Sequence, residues 1–277
     1  MDFWQAILLG IVEGVTEFLP ISSTGHLTIV ESLFGFHTSD AGVTAFTAII
    51  QVGAIVAAIV YFFRDIARLA VAWARGLFRP DRRDHDYRMG WYVIIGTIPI
   101  AIIGFLLKDF IASGLRSLWV VVFGLLFWSV VMYIAERVAR QDRAEGKMNL
   151  MDAIVIGLMQ CIALIPGVSR SGATISAGLF RGLDRVSATR ISFFLGIPAL
   201  TAAGAYEALT QASAVSHTVG WLPTIVATIV SFITAYAAIA WLLRLVAHHK
   251  ITVFIWYRVA LAVVVAALLL TGVISAT

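Results

Sequence analysis

The sequence predicts an all-α, polytopic integral membrane protein built from inverted repeats, with two re-entrant helical hairpins and six transmembrane helices. Three observations lead there. Sixty per cent of the 277 residues are hydrophobic and only 13% charged, and the mean hydropathy of +0.93 is more apolar than a water-facing surface would tolerate. Six apolar runs, near 43–63, 90–107, 117–135, 190–209, 221–243 and 252–274, approach the ~20 residues that cross a hydrocarbon core. The chain also nearly repeats itself at an offset of 147 positions: the stretch from Gly10 to His26 answers the stretch from Gly157 onwards, and Phe46 answers Phe193.

Residues 3–35 read as a helix, a break at Pro20 and a short second helix, and residues 151–180 repeat that design around Pro166. Each is expected to be a hairpin that enters and leaves the membrane on one face, because irregular backbone at depth is tolerated only where protein or a wet cavity surrounds it. One membrane domain, 1–277, is therefore expected to hold repeat one at 1–135 and repeat two at 151–277, with a cytoplasmic loop at 136–150 between them. Paired broken helices of this kind usually build a binding site.

By the parity of the crossings, the loops 64–90, 136–151, 181–190 and 244–250 share one side, and they hold 16 of the 20 Lys and Arg residues. The other side receives Lys108 and Arg116. Basic loops stay in the cytoplasm, so both termini are expected outside. Three crossings separate the hairpins, an odd number, so hairpin one dips in from outside and hairpin two from the cytoplasm, meeting near the middle.

The pI near 9.5 is thus a matter of topology, and no nucleic-acid partner is expected. Met1-Asp2-Phe3-Trp4 lacks a basic n-region and a cleavage site, so the first helix is expected to be retained. Cys161 stands alone and reads as a small core residue. Arg64, Asp65, Arg68, the run Asp81 to Asp86 and the charges from Glu136 to Lys147 read as solvated. Trp4, Trp91, Trp119 and Trp221 read as interfacial anchors, and Glu207 as wetted near an outer span end. Ala54, Ala57 and Ala58, and Ala199, Ala202 and Ala203, read as helix-packing faces.

The chemistry concentrates in the hairpins. Glu13 and Glu17 lie one turn apart on one face of an apolar helix. Two such anions repel and resist desolvation, so a divalent cation, a shared proton or a cationic partner must offset them. Oxygen donors suit Mg²⁺ or Ca²⁺, held by Glu13 and Glu17, better than zinc. Beyond Pro20, Ser22, Ser23 and Thr24 precede Gly25, and three hydroxyls exceed what an N-cap requires. With the unpaired amides of a helix N-terminus, that turn is expected to be a phosphate cradle. His26 follows at once and suits acid/base work.

In the second hairpin Ser169, Arg170, Ser171 and Gly172 occupy the same turn. A guanidinium there needs an anion or a cavity, and its planar fork fits phosphate. The halves have diverged: Gln160 stands opposite Glu13, Leu164 opposite Glu17, and Ala173 opposite His26.

The string Glu13-Gly-Val-Thr-Glu17-Phe-Leu-Pro20-Ile-Ser-Ser-Thr-Gly25-His26, followed by Pro166-Gly-Val-Ser-Arg170-Ser-Gly172-Ala-Thr174, closely resembles the undecaprenyl-diphosphate phosphatase family, also called the bacitracin-resistance protein family. The resemblance runs the full length. It implies a multi-pass membrane phosphatase that converts undecaprenyl diphosphate to the monophosphate and inorganic phosphate at the outer face of the bacterial plasma (inner) membrane. That reaction recycles the carrier lipid for cell-wall synthesis and confers bacitracin resistance. Glu13 and Glu17 then belong to the family's acidic motif, Ser23 and His26 to its hydroxyl and histidine motif, and Arg170 to its phosphate-binding motif. None of the five departs from the pattern.

The expected mechanism has Arg170 and the turn amides hold the diphosphate while a cation on Glu13 and Glu17 neutralises its oxygens. Ser23 attacks the terminal phosphorus and His26 takes its proton; direct attack by His26 or by water is left open. The partners expected are the polyprenyl diphosphate lipid and the bilayer, with a homodimer and an added flippase activity left open. From physics alone, the same repeats would also suit an ion-coupled transporter or a protein that sequesters the lipid uncleaved.

Overall fold

The computed structural model of the chain describes residues 1–36, 41–108, 110–111, 115 and 117–276, with backbone only at 41, 207–209 and 211–218. Arg116 and the side chain of Glu207 lie outside the described residues. Helices account for nearly all of the described structure: α1 (Phe3–Thr16), α2 (Ser23–Leu33), α3 (Ala41–Tyr61), α4 (Phe63–Phe78), α5 (His85–Leu106), α6 (Leu118–Val138), α7 (Leu150–Gln160), α8 (Arg170–Phe180), α9 (Arg185–Thr218), α10 (Trp221–His248) and α11 (Thr252–Leu270). Among the described residues six helices, α3, α5, α6, α9, α10 and α11, are long and apolar enough to cross a membrane. They fall on the six runs expected from sequence.

Both hairpin regions are a helix, a break and a second helix. Helix α1 starts at Asp2, whose amide donates to Gln5 Oε1 at 2.7 Å, and α7 starts at an Asn149/Asp152 capping box. After α7 a tight 3-10 turn, Cys161–Leu164, leads into Pro166. Cys161 is half-buried there, its Sγ 3.5 Å from the Gly157 carbonyl.

Packing crosses between the halves. Helix α1 lies on α10, and its counterpart α7 lies on α5; α3 packs against α9, and α6 against α11. Gly10 and Gly157, 147 positions apart, let the two hairpins approach: a Cβ at Gly10 would meet the Ala227 carbonyl of α10, and one at Gly157 the Gly96 backbone of α5. Each hairpin therefore rests on a long helix from the opposite half. Ala54, Ala57 and Ala58 are fully buried on α3, as a packing face should be. Ala202 and Ala203 are instead exposed on α9, where the buried Gly204 rather than these alanines meets Ile55 of α3.

The basic loops depart most from expectation. Much of 64–90, expected as loop, is helical: α4 is an amphipathic helix packed on α5 through Trp73 and Trp91, whose ring centres are 5.6 Å apart. Several charges expected to be solvated are paired. Glu136 is buried against Arg185, Arg190 bridges Glu145 at 2.7 Å and Asp65 at 3.2 Å, and Arg68 holds Asp86 at 2.9 Å. Arg143 grips the fully buried Asp152 with both ends of its fork, at 3.1 and 2.5 Å, while Arg181 Nε donates to the same carboxylate at 2.7 Å. Helical charge patterning on short segments hid these partners, because they come from distant loops. The 139–149 connection, the α8–α9 turn and the start of α4 are thereby tied at one end of the bundle. At the other end the Leu118 amide donates to the Ala276 carbonyl at 2.9 Å.

Asp152→Ala would leave two arginines around an empty site. Breaking a buried pair of this kind costs about 3–5 kcal/mol. Unfolding of the purified protein in detergent should show that loss, and the variant should fall well below Asp81→Ala, whose carboxylate is exposed.

Candidate active site

The two breaks meet face to face, each organised by a serine in the left-handed region. Ser22 and Ser169 have φ of 74° and 77°, which non-glycine residues adopt only under strain, and they are 147 positions apart. Each caps the helix that follows: Ser22 Oγ accepts from the Gly25 amide at 3.3 Å and Ser169 Oγ from the Gly172 amide at 3.2 Å. Each also reaches the opposite hairpin. The Gly167 amide donates to Ser22 Oγ at 3.2 Å, and the Leu19 carbonyl accepts from Ser171 Oγ at 2.9 Å and from Ser169 Oγ at 3.5 Å. Strain at matching positions is thus held in place by stitches running both ways. Gly25 and Gly172 commit their amides to the caps, leaving those of Ser23 and Thr24 without an intrahelical carbonyl.

On this frame Glu17, Ser23 and Arg170 come together. Glu17 ends α1 and is buried; its Oε2 accepts from Ser23 Oγ at 2.6 Å, and its Oε1 lies 3.7 Å from Arg170 Nη2. Arg170 Nη1 donates to the Ser192 carbonyl at 3.0 Å, and the guanidinium carbon stands 5.8 Å from the centre of the Phe18 ring. Gly196 on α9 gives it room, since a Cβ there would collide with the guanidinium. The Ser192 hydroxyl accepts from Thr174 at 2.7 Å, which steadies the seat. Two of the Arg170 nitrogens, Nε and Nη2, are buried without a hydrogen-bond partner among the described residues. So is Glu13 Oε1, one turn up α1. Buried donors left open beside a hydroxyl and a carboxylate are what an oxyanion would complete.

His26 occupies a different niche. Its Nδ1 is 2.7 Å from the Ser22 carbonyl and its Nε2 2.7 Å from the Tyr257 hydroxyl, with the two rings parallel at 5.6 Å. A carbonyl only accepts, so in the neutral ring Nδ1 carries the proton and Tyr257 donates to Nε2. The described partner of the Ser23 hydroxyl is Glu17, not His26. Thr24 is exposed on the first turn of α2, outside the buried cluster. Gln160, opposite Glu13, is fully buried, and neither its side-chain oxygen nor its nitrogen finds a partner among the described residues.

Sequence reasoning missed four contributors. Arg258, in the middle of α11, is fully buried and touches both turns; Tyr257 holds His26; Ser192 and Gly196 seat Arg170. Arg258 carried the signal that singled out Arg170, a lone cation in an apolar run, but no turn motif beside it. Gly196 and Ser192 carried none.

Six membrane-length helices among the described residues, with two interlocked broken helices packed between them, define a polytopic integral membrane protein. The model of the bacitracin resistance protein family, BacA, matches residues 6–264. The chain is 58% identical over 277 residues to an undecaprenyl-diphosphatase of Acidothermus cellulolyticus, covering all of both chains. It is 56% identical over 278 residues to undecaprenyl-diphosphatase 3 of Frankia casuarinae and 54% over 284 residues to an undecaprenyl-diphosphatase of Cutibacterium acnes, again over the full length of each. The chain belongs to the bacitracin resistance protein family.

Gly167 tests the interlocked frame itself. It sits at φ +90°, and a Cβ there would strike the Val121 carbonyl of α6. Gly167→Ala is expected to cost about 2 kcal/mol or more through strain and displaced packing, read as a lower unfolding midpoint in detergent.

Proposed function

We infer that this chain is an undecaprenyl-diphosphate phosphatase, releasing the terminal phosphate of the lipid diphosphate and returning undecaprenyl phosphate to cell-wall synthesis. One observation supports the residue roles most directly: the Arg170 guanidinium, with two open nitrogens, faces the carboxylate that also receives the Ser23 hydroxyl. In this proposal Arg170, with the Ser23 and Thr24 amides, binds the terminal phosphate, and Ser22, Gly25, Ser169, Ser171 and Gly172 shape the cradle.

Ser23 attacks the terminal phosphorus while its proton passes to Glu17, and undecaprenyl phosphate leaves. Water, its proton taken by His26 on the same face of α2 three residues on, then attacks that phosphorus, and inorganic phosphate leaves as Ser23 Oγ takes back the proton held by Glu17. This sequence moves the first proton transfer from His26 to Glu17 because Ser23 bonds Glu17 at 2.6 Å.

A divalent cation fits the donor set in part. Glu13 Oε1 is buried and unpartnered next to Glu17, both donors are hard oxygens, and no group of three or more His, Cys, Asp or Glu is assembled among the described residues. Glu13 and Glu17 would therefore hold Mg²⁺ or Ca²⁺ with water and phosphate oxygens completing its shell. Such an ion, when bound, would neutralise charge on the diphosphate.

We further propose that the two hairpins are re-entrant and related as inverted repeats, 1–135 and 151–277. The ion-paired loops face the cytoplasm, and both termini and the site face outward. The exchange of packing partners between α1 and α7 supports the repeat, and the gathering of basic loops at one end supports the orientation. The prenyl tail then stays in lipid and only the head group enters.

Phosphate release from undecaprenyl diphosphate by purified protein tests the assignment. Ser23→Ala and Arg170→Gln should each lose at least about 100-fold in kcat/KM; release that survives both changes contradicts it. Chelation should abolish turnover and added Mg²⁺ or Ca²⁺ restore it, with Glu13→Ala needing a higher metal concentration. Turnover indifferent to chelator removes the cation from the proposal.

A further inference from the structure

Arg258 makes five hydrogen bonds, and each goes to a neutral oxygen. Its Nη1 donates to the Pro20 carbonyl at 3.1 Å, its Nη2 to the Gly167 carbonyl at 2.8 Å and to the Gly124 and Leu125 carbonyls at 3.3 Å, and its Nε to Ser129 Oγ at 3.1 Å. Pro20 and Gly167 are 147 positions apart, so one guanidinium, on a helix outside both hairpins, holds the equivalent carbonyl of each. The two carbonyls are met by separate nitrogens of one planar fork, a spacing that the single nitrogen of an ammonium does not reproduce. The cost of burying a cation without a carboxylate is high, and α6 shares the load through Gly124, Leu125 and Ser129.

We propose that Arg258 is a positioning residue for phosphoryl transfer: it clamps the two turns in register and thereby sets Arg170 of one against Glu17 and Ser23 of the other. The inference rests on the site reading above. It carries a consequence that plain structural support would not. If Arg258 acts by aligning Arg170, its loss matters only while Arg170 is intact, whereas a misfolded fraction lowers activity by the same factor in any background.

The experiment is a double-mutant cycle of Arg258→Lys and Arg170→Lys, with undecaprenyl diphosphate as substrate and folding checked by gel filtration. Arg258→Lys alone should lower kcat at least about 10-fold with KM within about threefold, and the double variant should fall no more than about threefold below the weaker single one. Losses that multiply, or an Arg258→Lys variant within about twofold of wild type, overturn the inference while leaving the site reading intact. An Arg170→Lys variant as active as wild type sinks the site reading, and this inference with it. Should Arg258→Lys fail to fold, Ser129→Ala, which removes one of the five bonds, takes its place under the same criterion with a smaller drop, about threefold.

Discussion

Inside an apolar bundle a charged side chain must find a partner, and the meeting of Glu17 with Arg170 is where this chain satisfies that constraint between its halves. Neither residue has a carboxylate or guanidinium partner within its own hairpin. The pair is also incomplete: two nitrogens of Arg170 remain open, and Ser23 is hydrogen-bonded to the same carboxylate. A fully matched ion pair would be a strut. This one is half-matched, and under the proposed function an incoming phosphate would supply what it lacks.

The matching architecture of the hairpins makes that meeting possible. Strained serines, caps, close-packed glycines and even the carbonyls gripped by Arg258 recur at the same spacing. What differs between the halves are the side chains carried at and beside the turns. One turn has kept carboxylates, hydroxyls and a histidine, and the other a guanidinium beside apolar Leu164 and Ala173. Backbone equivalence with side-chain divergence suits a reaction in which one face carries the nucleophile and the other the anion clamp.

Much of this was legible in the sequence because it is local. Each span needs only a run of apolar residues, and each break announces itself by proline, serine and glycine within a few positions. Glu13, Glu17 and Arg170 stand out for a related reason, that charge within such runs is rare. The sequence did not disclose which groups touch. Ser23 bonding Glu17 and His26 bonding Tyr257 depend on how α2 rotates against α1 and α11, which no spacing encodes. Gly196 matters only because Arg170 lies on it, and α4 was lost among loop charges whose partners are far away in the chain. Long-range pairing, rather than local pattern, is the part that needed three dimensions.

The central claim is that one head group is held between the two turns. Solid-state NMR of the protein in lipid bilayers, with ¹⁵N-arginine and a non-hydrolysable prenyl diphosphate analogue, reads it directly through ¹⁵N–³¹P dipolar dephasing. A guanidinium nitrogen about 4 Å from phosphorus, absent in Arg170→Lys, is the predicted result. Dephasing that persists unchanged in that variant, or none in the wild type with analogue bound, would contradict the account.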